Sequence, residues 1–91
     1  TTLLPLALLE ESWLEGKKIL MLEPRRLAVR SSAARMAELL GEKVGERIGY
    51  QVKMDSVQSE KTKILIVTEG ILTRKLQSDP ALEEFALVIF D

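Results

Sequence analysis

Three short runs of consecutive apolar residues constrain the fold more than any other feature of this sequence. The runs are ILML at residues 19–22, ILIV at 64–67 and LVIF at 87–90. Continuous apolar runs of this length are typical of strands that are buried on both faces, as in parallel sheets covered by helices. The sequence therefore predicts a sheet whose strands pack against helices on each side.

The segments between these runs have the helical apolar period that such coverage requires. Residues 27–40 place an apolar stripe on one side of a helix, and Gly41 follows where a C-terminal cap belongs. A helix is also predicted to begin around Leu4 and to close at Gly16, and a short one spans Glu69–Gln77. This alternation of helices and strands predicts an α/β domain with a mainly parallel sheet.

A further strand is predicted from the alternation of apolar and polar residues in RIGYQVKM, residues 47–54, with Met54 continuing the buried side. The next segment, DSVQSEKT, has the composition of a polar loop. Because this loop is too short for a helical crossover, the strands that it joins are expected to be antiparallel neighbours or not adjacent. The sequence leaves these two alternatives open.

Composition excludes several classes of function. The 91 residues suffice for one small domain, and they include neither cysteine nor histidine. Disulfide frameworks, thiol nucleophiles, and the commonest general base and zinc ligand are therefore excluded. No apolar run is long enough to span a bilayer and no basic segment precedes LLPLALL, so we expect a cytoplasmic protein without a membrane partner. The chain begins without methionine and ends within a predicted strand, which indicates a piece of a larger protein.

Within eleven residues that contain no acid, the sequence places four arginines: Arg25, Arg26, Arg30 and Arg35. The first two stand at the start of a predicted helix, where unpaired backbone N–H groups and the positive end of the helix dipole also favour an anion. Cations at this position oppose the dipole, which favours the hypothesis that the stretch faces the phosphates of an external ligand. The alternative is that the first three arginines pair with acids such as Glu23 or Glu69.

Polar segments follow three of the predicted strands: EPRR after the first, TEG after the third and Asp91 after the last. Ligands of open α/β sheets bind beyond the carboxyl ends of the strands, so these segments are expected to line one rim. Thr68 is a good N-cap, and its hydroxyl serves either that cap or a phosphate, while Gly70 allows a close approach to the backbone. Aromatic residues are too scarce for a base-stacking platform, so a bound nucleic acid would be held by its backbone.

In their order along the chain, these motifs resemble the first RecA-like domain of the DExH-box helicases, the DEAH/RHA group of superfamily two, and its bacterial members in particular. LEPRRLAVRSSAARMAELLGEKVGERIGYQV resembles motif Ia with its helix and next strand, VTEGILTRKLQSDPAL resembles motif Ib, and LVIFD resembles the strand that enters motif II. The resemblance covers nearly all of residues 1–91. It implies part of a RecA-like, P-loop NTPase domain, from the end of motif I to the first Asp of motif II.

The resemblance implies roles for individual residues. Asp91 would be the catalytic acid of motif II that positions Mg²⁺ for ATP, and Thr1 falls on the Ser/Thr of the phosphate loop, whose hydroxyl helps to bind that ion. The expected partners are single-stranded nucleic acid, RNA rather than DNA, and the second RecA-like domain of the same protein. Contacts with the strand backbone are implied for seven residues: Pro24, Arg25, Arg26, Thr68, Glu69, Gly70 and Arg74.

Several parts of such an enzyme are missing from these residues: the phosphate-loop lysine, the rest of motif II and the second domain with its arginine finger. Phosphoryl transfer depends almost wholly on positioning and electrostatics, so the 91 residues alone are expected to be inactive. Two functions therefore stand side by side. The chain is either a strand-holding segment of an ATP-dependent helicase or a non-catalytic α/β protein-interaction module whose arginines make surface ion pairs.

Overall fold

The computed structural model describes residues 6–10 and 16–90 of the chain. In this part the strands are β1 (Lys18–Leu22), β2 (Ile48–Val52), β3 (Asp55–Val57), β4 (Ile64–Val67) and β5 (Phe85–Phe90). The helices are α1 (Arg26–Leu39) and α2 (Glu69–Ser78), and a 3-10 turn spans Leu8–Glu10. Most of the helix predicted from Leu4 to Gly16 lies outside the described residues. Neither described helix is long and apolar enough to cross a membrane.

The strands form one sheet in the order β3-β2-β4-β1-β5. All neighbouring strands run parallel except β3, which is antiparallel to β2. The predicted α/β fold with a mainly parallel sheet is therefore confirmed. The apolar residues of β1 and β4 are buried, as their continuous runs predict. β5 is less buried, with Phe90 70% exposed, because it lies at the edge of the described sheet.

The connection between β2 and β4 differs from both alternatives that the sequence left open. The two strands are adjacent and parallel, with Tyr50 opposite Ile66. Residues 55–57, predicted as loop, form β3 instead, which carries the chain back along β2 so that the next residues can return to the start of β4. The buried hydroxyl of Thr62 fixes this return by donating to the carbonyl oxygen of Glu46 at 2.9 Å. A hairpin thus replaces the crossover helix that parallel neighbours usually require.

Lys53 and Met54 form the turn between β2 and β3. Met54 has a φ of 68°, in the left-handed region, and its side chain is 94% exposed. The prediction that Met54 continues the buried side of the strand is therefore wrong, because the chain turns after Val52. The turn leaves Lys53 at the carboxyl end of β2.

The helices α1 and α2 cover opposite faces of the sheet. The stripe predicted on α1 is buried against the face that carries Ile19 and Ile64, and Ile71 of α2 packs beside Leu20 and Leu65 on the other face. Side chains alternate between the faces of a strand, so the continuous apolar runs supply both cores. Each fully buried aliphatic side chain stabilises the fold by roughly 1.5–3 kcal/mol. The buried residues of the α1 stripe are Val29, Ala33, Met36 and Ala37.

The parallel register aligns the carboxyl ends of three strands. Leu22 at the end of β1 lies opposite Val67 at the end of β4, and Val67 lies opposite Gln51 of β2. The backbone N–H of Glu23 donates to the carbonyl oxygen of Val67 at 3.0 Å. The segments that follow these strands, residues 23–26, 53–54 and 68–70, therefore lie side by side along one edge, which we call the carboxyl edge.

Candidate nucleic-acid interface

Glu23 and Arg25 shape the part of the carboxyl edge that follows β1. The Glu23 side chain is only 2% exposed, whereas that of Arg25 is 79% exposed. Glu23 Oε1 accepts from the backbone N–H of Arg25 at 3.1 Å and from Arg25 Nε at 3.3 Å. Because a guanidinium carries five N–H donors, this contact leaves the outer end of Arg25 available. The pairing of Arg25 with Glu23 that the sequence offered as an alternative is present, and it is compatible with a second partner.

Arg26 is the first residue of α1 and is exposed to solvent. The first turn of α1 contains no acid, and Arg26 forms no ion pair with any described residue. Together with Arg25, Leu27 and Ala28 it lines an open depression of about 490 Å³. A helix N-terminus and two cations without an opposing acid in that turn give this depression a positive potential, which suits a phosphate.

A second depression lies beside the start of α2. Thr68 occupies the N-cap position, as predicted, but its side chain makes no capping hydrogen bond within the described helix. A Cβ added at Gly70 would meet no described atom within 4 Å, so the backbone there is open to a ligand. The cleft has a volume of about 200 Å³ and is lined by Lys53, Thr68, Gly70, Ile71 and Arg74. Two cations, a hydroxyl and an accessible helix N-terminus are suitable donors for an anion.

The structure brings most of the residues implied by motifs Ia and Ib to the carboxyl edge. Pro24 forms the exposed bend between β1 and α1. Arg74 is four residues beyond Gly70 and therefore shares its face of α2. Glu69 lies in the first turn of α2, where an acid suits the helix dipole, and it is not among the residues that line the cleft.

Lys53 is the residue of this edge that the sequence analysis missed. The alternating segment was interpreted as a strand through Met54, which placed Lys53 on its polar side without a partner. The signal that could have found it is the end of the alternation, since a lysine at the carboxyl end of a strand next to β4 must lie beside Thr68.

Arg30 does not face the carboxyl edge, so the hypothesis that all four arginines face phosphates is wrong for this residue. Its Nη2 and Nε donate to Asp55 Oδ2 at 2.7 and 3.0 Å. The Tyr50 hydroxyl donates to the same oxygen at 2.7 Å. The Tyr50 hydrogen bond and the Arg30 guanidinium lower the pKa of Asp55 below its ordinary value, and Asp55 in turn raises the pKa of Arg30. Arg35, nine residues beyond Arg26 on α1, is exposed.

Thr1 and Asp91, the residues that the resemblance implies for Mg²⁺ and ATP, lie outside the described residues. Within residues 6–10 and 16–90 no group of three or more acids, histidines or cysteines could hold a metal ion. The described part of the chain therefore does not itself fit a metal site. What it presents is a surface for an anion.

The chain is similar to known proteins over its whole length, although no protein-family model matches it. It is 48% identical over 91 residues to the ATP-dependent RNA helicase HrpB of Escherichia coli (strain K12), and the match covers 100% of this chain and 11% of that protein. It is 37% identical over 91 residues to the ATP-dependent RNA helicase HrpA of Borreliella burgdorferi, again over 100% of this chain and 11% of the relative. The crystal structure of the E. coli DExH-box NTPase HrpB matches 82% of this chain and 9% of its own, with a TM-score of 0.79 and 49% sequence identity.

The fold and the order of motifs therefore define a segment of a RecA-like α/β domain. The chain corresponds to one segment of the DExH-box helicases and is close to HrpB among them. The family and the fold that the motifs implied are both confirmed. The chain spans about a tenth of the length of the curated relatives that it matches, 11% in each of the two cases.

Proposed function

We propose that this chain is the part of the first RecA-like domain of an ATP-dependent RNA helicase that holds the backbone of a single strand. The observation that carries the proposal is the set of exposed cations and helix N-termini along the carboxyl edge, where ligands of open α/β sheets bind. RNA is favoured over DNA because both of the curated relatives are named as RNA helicases.

Two neighbouring sites of the carboxyl edge would hold different phosphates of the strand. Arg25 and Arg26 would pair with one phosphate through guanidinium groups, whose planar fork suits phosphate oxygens. The cleft beside α2 would take another between the Thr68 hydroxyl, the backbone at Gly70, and the side chains of Lys53 and Arg74. Pro24 would shape the bend that presents the arginine pair, and Glu69, whose carboxylate repels phosphate, would contribute its backbone N–H.

Binding of this kind would be independent of base sequence. Phosphate contacts fix the register and orientation of a nucleic acid but do not distinguish its bases. Tyr50 and Phe85 are buried, so they offer no stacking platform to bases along the carboxyl edge. Independence of sequence is what a helicase that moves along a strand requires.

The proposal includes ATP use by the whole protein, in the cytoplasm. The two relatives are named ATP-dependent, and the resemblance gives Thr1 and Asp91 to Mg²⁺, with Asp91 as the catalytic acid. ATP hydrolysis would supply the free energy for movement along the strand as a second RecA-like domain opens and closes. The described residues would contribute by holding the strand, since they include no metal-binding cluster of their own.

Salt-dependent binding of RNA tests this proposal. A single-stranded oligoribonucleotide with a fluorescent label is titrated with the intact protein that carries this chain, without ATP, at about 50 to 200 mM salt. Arg25→Ala/Arg26→Ala should weaken binding and reduce the slope of log K against log salt by about 1.4, because each lost phosphate contact on a single strand is worth about 0.7.

Arg35→Ala/Lys43→Ala is the matched control, because it also removes two exposed cations. Arg35 lies in the third turn of α1, and Lys43 lies in the loop that precedes β2, at the opposite edge of the sheet. This control should leave the slope unchanged. Equal, salt-insensitive binding by the wild type and both variants would contradict the proposal and favour the protein-interaction module.

A further inference from the structure

Arg30, Tyr50 and Asp55 form a closed cluster between α1 and the β2–β3 hairpin. Arg30 and Tyr50 both donate to Asp55 Oδ2, at 2.7 to 3.0 Å. Arg30 Nε also donates to the Tyr50 oxygen at 3.3 Å, and the guanidinium carbon lies 5.8 Å from the centre of the Tyr50 ring. Each member contacts the other two, so the cluster fixes the position of the hairpin relative to α1.

The cluster lies where the hairpin needs an anchor. β3 is three residues long and lies at the edge of the sheet, and within the described residues it pairs with β2 alone. Such a short pairing is marginal unless other contacts support it. Asp55 opens β3 directly after the turn formed by Lys53 and Met54, so an anchor at Asp55 also holds the turn.

The position of this turn determines where Lys53 points. Lysine has a flexible four-carbon side chain, so the backbone position largely decides which site its ammonium can reach. Lys53 lines the cleft beside α2 with Thr68 and Arg74. Arg30 lies four residues beyond Arg26 on α1, so one helix carries both the arginine pair and the anchor of the hairpin.

We propose that Arg30, Tyr50 and Asp55 are positioning residues that hold Lys53 at the cleft and fix its distance from the Arg25–Arg26 pair. One strand could then contact both sites at once. The inference rests on the proposed function, and it gives the third arginine of the stretch a role without a phosphate contact.

Three conservative substitutions test the role of the cluster in the intact protein, with single-strand RNA binding as the readout. Asp55→Asn keeps the shape of the side chain, Tyr50→Phe removes one oxygen, and Arg30→Lys keeps the charge. Each should weaken binding about two- to fivefold, the range expected for loss of an exposed ion pair or hydrogen bond. Glu42→Gln is the control, since it removes the Arg47–Glu42 pair, 2.6 Å long, which precedes β2.

The direction of the Asp55→Asn effect separates positioning from simple electrostatics. Removing a negative charge near a bound strand should by itself strengthen binding, whereas loss of the anchor should weaken it. In a Lys53→Ala background Asp55→Asn should cause no further loss, because its effect acts through Lys53. A thermal melt identifies any variant that fails to fold, and Tyr50→Phe, the smallest change, then decides the result.

The inference is overturned if the three variants bind as the wild type does, if Asp55→Asn strengthens binding, or if its loss persists undiminished without Lys53. The proposed function fails separately, when Arg25→Ala/Arg26→Ala also leaves binding unchanged. If the arginine pair matters and the cluster does not, only this inference is wrong.

Discussion

Arg25 and Arg30 lie five residues apart in the same basic stretch and both contact a carboxylate, yet the two pairs are built differently. Arg25 meets a buried acid through Nε alone, and its side chain is 79% exposed. Arg30 meets a partly exposed acid through both Nε and Nη2, and it also contacts the Tyr50 hydroxyl. The first arrangement leaves most of a guanidinium for an external anion, and the second uses it within the fold.

The difference shows that the function of an arginine depends on the donors that remain after its internal contacts. A guanidinium has five N–H donors in a fixed fork, so one held at Nε can still bind a phosphate bidentately through its outer nitrogens. Arg25 is such a residue, whereas Arg30 presents Nε and one outer nitrogen to Asp55. Nearness in sequence therefore does not make these two cations part of one surface.

The largest expected effect concerns the buried partner of Arg25. Glu23→Ala should lower the free energy of unfolding by about 1–3 kcal/mol, because it leaves the backbone N–H of Arg25 without its acceptor at a buried position. Glu23→Gln keeps an oxygen acceptor and should lower it less. Chemical denaturation of the intact protein measures both values.

Glu38→Ala serves as the control for helix α1, since exposed substitutions change stability by about 0.5 kcal/mol or less. Equal losses for Glu23→Ala and Glu23→Gln would show that the Glu23 charge, and not its acceptor geometry, supports the bend. The contrast between the two arginine pairs would then rest on charge alone.

A smaller effect is expected from the exposed partner of Arg30, and it depends on pH. The folded-state pKa of Asp55 lies below the ordinary value of 3.8, so the cluster adds stability above about pH 4. This stability is lost as the pH falls through the lowered folded-state pKa. Asp55→Asn should therefore reduce the fall in melting temperature between neutral and acid pH, and it should lower the melting temperature near pH 7.

Tyr50→Phe should reduce the same acid response in part, because the Tyr50 hydrogen bond is the largest cause of the lowered Asp55 pKa. Melting curves at a series of pH values check both variants. An acid response identical in the wild type and Asp55→Asn would mean that the Arg30 cluster adds no pH-dependent stability, and the contrast with Arg25 would lose its energetic basis.

Much of the fold could be predicted because its signals are local. The apolar runs at residues 19–22 and 64–67 gave two interior strands, and the helical period of residues 27–40 gave α1 within one residue at each end. β3 could not be predicted in this way, because its three residues are mostly polar and its pairing with β2 depends on a turn. The parallel pairing of β2 with β4 was missed for the same reason.

The candidate site shows the same limit. Arg25, Arg26, Thr68 and Gly70 were predictable, because each follows a strand whose end could be recognised. Lys53 was not, since its place depends on the unpredicted hairpin. The partner of Arg30 lies 25 residues away along the chain, and no local pattern connects the two.

Hydrogen–deuterium exchange of the intact protein with and without single-stranded RNA tests the central claim most directly. If the carboxyl edge holds the strand, RNA should slow exchange of the backbone amides of residues 25–28 and 68–72, at the N-termini of α1 and α2. The loop at residues 41–46, at the opposite edge of the sheet, should exchange at the same rate in both states. Protection confined to residues 41–46, or no protection at either helix start while RNA is bound, would contradict the account.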